Sequence, residues 1–293
     1  MGNAPFSSFS ILPQDLAARI GTPGAPLLLD VRRPPRFAES THLLAGAQHC
    51  TPEGLARLAA SAPPCEAVAY CVYGHAVSQE AAAMLRQAGW NARFLAGGFE
   101  GGEPGADTPE DLARWRAVRP LAVRKRTDLG VDGSTASRWV TRARPRIDRV
   151  ACPWLVRRFI DPRAEFFYVE AAQVLAEAQR LGAVAFDAPN APITHDGPWC
   201  SFDALLAAFE LQADPALAAL ARIVRAADTD AVQAPQAAGL LAVSLGLSQL
   251  HAGRDLAMLS AAMPVYDALY AWCRLEVQGV QERQGWTPEA VRA

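Results

Sequence analysis

Lysine is almost missing from this chain of 293 residues: Lys125 stands alone, and arginine supplies the rest of its 28 basic residues. Against 30 acidic residues the net charge is −2, too little to draw the molecule toward nucleic acid or an anionic membrane surface. No apolar run approaches the ~20 residues that a membrane-spanning helix needs. Residues 1–13 are polar, aromatic and broken by proline, without the basic start and apolar core of an export signal. The six cysteines (Cys50, Cys65, Cys71, Cys152, Cys200, Cys273) show neither CxxC pairing nor a disulfide-framework spacing. These absences predict a cytoplasmic location with reduced thiols and no membrane partner. Repeats and low-complexity tracts are missing too.

What is present suits a globular protein of about two domains, with 51% apolar and 20% charged residues. In the first third, short apolar runs alternate with helical patterns: strands near Leu27–Arg32, His49, Ala67–Tyr70 and Ala92–Leu95, helices over Ile11–Ile20, Pro52–Ala60 and Ser78–Ala88. Alternation of this kind predicts an α/β fold with a parallel sheet, whose ligands bind beyond the carboxyl ends of the strands. Asp30, Cys71 and Gly97 fall at such ends. Cys71 also precedes a helix N-terminus, where backbone N–H groups and the helix dipole favour a thiolate. On these residues alone a reactive thiolate and a buried structural cysteine stand level.

Residues 12–102 resemble a single rhodanese domain. The likeness is carried by Leu29-Asp30-Val31-Arg32, the His42…Ala45-Gly46-Ala47 turn, the Tyr70-Cys71…Gly74…Ser78 loop and Leu95-Ala96-Gly97-Gly98-Phe99. It implies a rhodanese-like doubly wound parallel sheet in which Cys71 forms a persulfide and passes the sulfur on. Val72, Tyr73, Gly74, His75, Ala76 and Val77 would cradle the sulfur, and Asp30 and Arg32 would brace the loop. Two departures stand out. The loop has His75 where many members carry arginine or lysine to hold a thiosulfate-type donor, and Gly101-Gly102 replace the usual tryptophan after the double glycine.

Glu100–Thr108 reads as a linker, Thr108–Val118 as a capped helix, and Arg119–Ser137 as an exposed connector. The expected organisation is a rhodanese-like domain at 8–105, a linker with a short helix at 106–136, and a second domain at 137–280. That second domain starts as mixed α/β (strands Trp139–Thr141, Glu165–Val169 and Val184–Phe186) and turns helical from Ser201. Pro153 is expected in a helix's first turn, which would put Cys152 at or next to the N-cap. The polar loop Ile193–Asp203 interrupts the pattern.

The second half resembles the C-terminal domain of the ChrB chromate-resistance family over about residues 139–274. The carriers are Ile147-Asp148-Arg149-Val150-Ala151-Cys152-Pro153-Trp154-Leu155, Arg158-Phe159-Ile160-Asp161, Thr194-His195, Cys200-Ser201-Phe202-Asp203, Arg225–Thr229 and Tyr266–Cys273. The resemblance implies an association with chromate or oxyanion resistance. Where the family's regulatory members have a different N-terminal half, this chain has the rhodanese-like domain.

Cys152, His195, Cys200 and Asp228 offer soft and borderline ligands for a metal ion, though none of their spacings marks a zinc site. The competing reading is a hydrogen-bonded histidine among inert cysteines, with Asp148, Asp203 and Asp228 as caps and ion-pair partners. Arg149 and Arg157, with Arg158, could hold a tetrahedral dianion such as chromate, or form a salt-bridged basic face. The whole therefore reads as a sulfurtransferase that takes sulfur from a small-molecule donor to a thiol acceptor, coupled to an oxyanion- or metal-binding domain. Sulfur transfer itself requires no cofactor, and nucleic-acid binding is not expected. Two alternatives remain: an oxyanion- or metal-responsive binding protein with an inert rhodanese-like domain, and a chromate reductase using Cys152 and Cys200.

Overall fold

The short apolar runs of the first third become β1 (Ser10–Ile11), β2 (Leu27–Asp30), β3 (His42–Leu44), β4 (Ala47–His49), β5 (Glu66–Tyr70) and β6 (Asn91–Leu95). Five of them form one sheet in the order β1-β6-β5-β2-β4, every pair parallel. A central parallel strand is covered on both faces, and β5 accordingly reads Glu-Ala-Val-Ala-Tyr, buried from Ala67 to Tyr70. The covering helices are α1 (Pro13–Ala17), α2 (Pro34–Glu39), α3 (Pro52–Ser61), α4 (Ala76–Gln87) and α5 (Pro109–Ala117). Local chemistry sets their starts. Thr51 accepts from Gly54 N ahead of Pro52, and Thr108 accepts from Asp111 N ahead of Pro109.

The computed structural model describes residues 9–229 and 233–280, and the chain divides into two compact units. The first runs through Lys125 and takes in Val131–Thr135 and Arg158–Pro162. The stretch expected to be an exposed connector contributes β7 (Ala122–Arg124), which pairs antiparallel with β3 and buries Val123. Arg158–Pro162 lies far along the sequence, yet within this unit Phe159 O accepts from Gly46 N at 2.6 Å. The Phe159 ring fills the space beside Gly21, where a Cβ would stand 2.1 Å from it.

The second unit comprises Arg126–Gly130, Ala136–Arg157 and the chain from Arg163 onward. Its three parallel strands, β8 (Arg138–Arg142), β9 (Glu165–Val169) and β10 (Val184–Ala185), lie in the order β10-β8-β9. Around them pack α6 (Asp148–Leu155), α7 (Val174–Leu181), α8 (Ser201–Ala208), α9 (Pro215–Asp228), α10 (Ala237–Leu250) and α11 (Asp255–Val277). The Phe186 ring meets both Trp139 and Phe166 edge-on, and Trp154 packs between Tyr266 and Tyr270 of α11. Asp267 accepts the Trp154 indole N–H at 2.8 Å. Among the described residues no helix is long and apolar enough to cross a membrane.

One expected helix start is corrected. α6 begins at Asp148, so Pro153 stands inside the helix and Cys152 a full turn from its N-terminus. An internal proline withholds the N–H that would reach the carbonyl four residues back. Here that carbonyl, Arg149 O, accepts from the Tyr168 hydroxyl of β9 at 3.1 Å. The strand thus supplies the bond that proline omits.

At the β5 edge, Glu66 accepts from Arg19 (2.6 Å) and Arg93 (2.8 Å), and the hydrogen bond from Arg19 leads in holding its carboxyl down at about 2. A carboxyl depressed in the folded state stabilises above its unfolded value of 4.5, and the gain is lost as pH falls toward 2. The side chain is 30% exposed, so the pair is expected to contribute about 1 kcal/mol. Glu66→Gln should therefore destabilise the first unit by about 1 kcal/mol at neutral pH and match wild type near pH 2. Urea melts followed by circular dichroism at the two pH values test this.

Candidate functional site

Cys71 directly follows β5, and four residues later the chain reaches His75, the N-cap of α4. The helix starts two residues earlier than the sequence pattern suggests, which tightens the loop. Cys71 Sγ lies 3.2 Å from Ser78 Oγ, on the first turn of α4, and 3.9 Å from His75 O. Cys71 is nearly enclosed, at 6% exposure, while Val72, Tyr73 and His75 are half-buried around it and Ala76 is exposed.

The loop keeps its shape by pressing backbone against backbone. Gly74 and Gly98 both have positive φ, 81° and 59°, and a Cβ on Gly98 would stand 2.4 Å from Gly74 N and 2.6 Å from Cys71 O. No side chain fits there. Phe99 N donates to Cys71 O and Glu100 N to Val72 O, both at 2.9 Å. Asp30 and Arg32 stand behind this contact as a fully buried pair, Nε and Nη2 of the guanidinium reaching both carboxylate oxygens at 2.6–3.0 Å. Arg32 also donates to His42 O and lies 4.5 Å over the Phe99 ring. Tyr70 donates its hydroxyl to Asp30 and accepts from Leu44 N; burial, and then the Asp30 charge, push that phenol well above its ordinary range. The brace thus runs from Asp30 through Arg32 and Phe99 to the Cys71 carbonyl.

Two features of the loop's mouth escape a reading of the sequence. His75 Nε2 lies 3.0 Å from Asp107 and Nδ1 3.5 Å from Glu103, so the stretch read as a linker closes on the loop and supplies carboxylates. A dianionic donor would meet acid there. The Trp115 ring of α5 lies against Gly97 and Gly102, within 3.0 Å of where a Cβ on either would stand.

In the second unit, His195 and Asp228 come together, and the cysteines do not join them. His195 Nε2 lies 3.3 Å from Asp148, 3.3 Å from Asp187 and 3.2 Å from Asp228. Asp148 opens α6, Asp187 follows β10, and Asp228 closes α9, so the group gathers beyond the carboxyl ends of β8 and β10. Asp187 was not legible as a partner; the only sign was its place in a turn right after a strand. It holds a positive φ of 48°, as does Ile147 at 36°, next to Asp148. The hydrogen bond to Asp148, with the neighbouring acids, raises the His195 pKa to about 9. Burial, and then Asp148 and Asp187, raise that of Asp228 to about 6.

Arg149, a candidate oxyanion ligand, sits 3.3 Å from Asp187 and donates to Ala143 O, with burial and Arg142 pushing its pKa down. Arg157 lies over the Phe166 ring at 5.1 Å and donates to Ala164 O. Cys200 is held at 3.3 Å from Asp203, which accepts from the Cys200 N–H and pairs with Arg225. Burial, and then the Asp148 charge, drive both Cys152 and Cys200 far up, so neither is a thiolate near neutral pH. The charge of this group is acidic, opposite to what an oxyanion requires.

Gly98→Ala is expected to destabilise the first unit by about 1–3 kcal/mol and to loosen the Cys71 loop, read as a lowered denaturation midpoint. In native protein a maleimide should label exposed Cys65 quickly, and buried Cys152, Cys200 and Cys273 only after denaturant is added, as peptide mass mapping would show.

Comparison with known proteins finds two matches along the chain. Residues 12–103 match the model of the rhodanese-like domain, and residues 139–273 that of the ChrB C-terminal domain. Protein ChrB of Cupriavidus metallidurans is 38% identical over 132 residues, which are 45% of this chain and 39% of that relative. The chain thus spans about two fifths of the length of the curated relative it matches. It carries a rhodanese-like domain followed by a ChrB C-terminal domain.

Proposed function

We propose that Cys71 accepts a sulfane sulfur as a persulfide and hands it to a thiol. The thiolate attacks the outer sulfur of a donor, an S–S bond forms at Cys71, and the donor leaves with the electron pair of its broken bond. An acceptor thiolate then attacks the outer sulfur and regenerates Cys71. The observation that carries this reading is the placement of Cys71 Sγ at the carboxyl end of a central parallel strand, facing Ser78 on the first turn of α4. Ser78 can turn its hydroxyl from His75 O to an anionic sulfur, and the dipole of α4 favours that charge. Asp107 and Glu103 beside His75 favour a neutral or thiol-borne persulfide donor over thiosulfate.

The ChrB C-terminal domain would couple this chemistry to tolerance of chromate or related oxyanions and thiol stress, in the cytoplasm. The same arrangement supports a second reading, a binding protein whose rhodanese-like domain is inert, because Cys71 is only 6% exposed.

Intact-mass measurement separates the two. After incubation with a low-molecular-weight persulfide, wild type should gain about 32 Da, one sulfur atom, released again by excess thiol. Cys71→Ser should gain nothing. Absence of a Cys71-dependent adduct would exclude the sulfurtransferase. Asp107→Asn, which removes a carboxylate from the mouth, should raise the rate with thiosulfate several-fold while leaving the rate with a neutral persulfide within twofold, measured as thiol-dependent sulfide release.

A further inference from the structure

We propose that Asp148, His195 and Asp228 form a binding site for a divalent transition cation, Mn²⁺ or Zn²⁺ in chemical class, in the second unit. The site is separate from sulfur transfer at Cys71. The donor atoms of the three side chains all lie within 4.8 Å of one another, and both Asp148 and Asp228 approach His195 Nε2 to 3.2–3.3 Å. Ligands held at about 2.1 Å from a shared ion stand about 3–4.2 Å apart, so the cluster needs only a small contraction.

A second observation points to a missing ligand. Asp148 is fully buried; its Oδ2 faces His195 Nε2 at 3.3 Å and accepts from Ser201 N at 2.5 Å, while its Oδ1 is buried without a hydrogen-bond partner among the described residues. A buried carboxylate with an unpaired oxygen is costly, and a cation is the partner that satisfies it. The charges agree. Asp187 is neutralised by Arg142 at 2.9 Å and Arg149 at 3.3 Å and accepts from Ser201 Oγ, so it serves as a positioning residue for the rim. Asp148 and Asp228 remain as the two carboxylates that face the imidazole, anionic donors of the kind a dication takes.

The donor set decides the class of ion. Two carboxylates and an imidazole suit Mn²⁺, Fe²⁺ or Zn²⁺ better than Mg²⁺, which binds imidazole poorly, or Cu⁺, which prefers sulfur. Cys200 is turned to Asp203. Exposure decides the use. Asp148 holds the ion from inside at 1% side-chain exposure, whereas His195 and Asp228 are 38% and 21% exposed, so coordination positions remain open toward solvent. Three protein ligands with open positions describe a site that takes water or a small anionic substrate on the metal.

The test uses the full chain, stripped with a chelator, dialysed into metal-free buffer and titrated separately with MnCl₂, ZnCl₂ and MgCl₂. Bound metal is counted by mass spectrometry after equilibrium dialysis, with Mn²⁺ also followed by electron paramagnetic resonance. The expected result is one Mn²⁺ or Zn²⁺ per chain, with Mg²⁺ at least about tenfold weaker. Asp228→Asn and His195→Gln, at partly exposed positions, should each weaken binding at least about tenfold while keeping the wild-type circular dichroism spectrum. Asp148→Asn would serve only as a third variant because of its burial. Cys71→Ser and Cys200→Ser should bind as wild type does. Failure of Mn²⁺ and Zn²⁺ to bind, undiminished binding by both Asp228→Asn and His195→Gln, or loss on Cys200→Ser alone would overturn the assignment.

Discussion

The Asp30–Arg32 ion pair is the contact on which the first unit depends. Two opposite charges are taken almost entirely out of water, and structurally consequential groups close around them: the Tyr70 hydroxyl, the His42 carbonyl, the Phe99 face. Removing one partner of such a pair costs about 3–5 kcal/mol because the other is left charged and dry. Here the loss would not stay local. Tyr70 adjoins Cys71, Leu44 belongs to β3, and Phe99 carries the backbone that holds the Cys71 carbonyl. A single buried pair therefore sets the geometry of the Cys71 loop through the residues around it.

The second unit inverts this logic. Four acidic or imidazole groups converge where Arg142 and Arg149 pair with Asp187, and strained backbone at Ile147 and Asp187 is retained to bring them there. Strain and uncompensated burial both lower stability, and proteins keep them where function requires it. Both units nevertheless place their chemistry alike, beyond the carboxyl ends of parallel strands.

Much of the first unit was legible because its signals are local. The apolar run ending at Tyr70, the double glycine and the hydroxyl caps at Thr51 and Thr108 each depend on near neighbours in sequence. What escaped was long-range. β1 is two residues long and gains its identity only from pairing with β6; β7 looks like connector until β3 stands beside it. The same holds for the sites. Cys71 was visible from its strand and helix, but the carboxylates around His75 come from 28 and 32 residues away. In the second unit the sequence offered Cys152 and Cys200 beside His195 and Asp228, and burial pushes both thiols up, away from the thiolate form. Asp228 was among the candidate ligands, but Asp148 and Asp187 look like ordinary caps in sequence until the fold brings all three to one histidine.

Phe159 gives this architecture a temporal side. Its ring closes the space beside Gly21, and its carbonyl receives the Gly46 N–H, across gaps of more than a hundred residues. On a ribosome that delivers the chain from its N-terminus, the sheet can assemble early, yet the unit stays incomplete until residue 162 has emerged. By then β8 and α6 of the second unit are already outside as well. The two units are thus interlaced in the order of their synthesis, and maturation of the cysteine loop's unit waits on a segment encoded within the other.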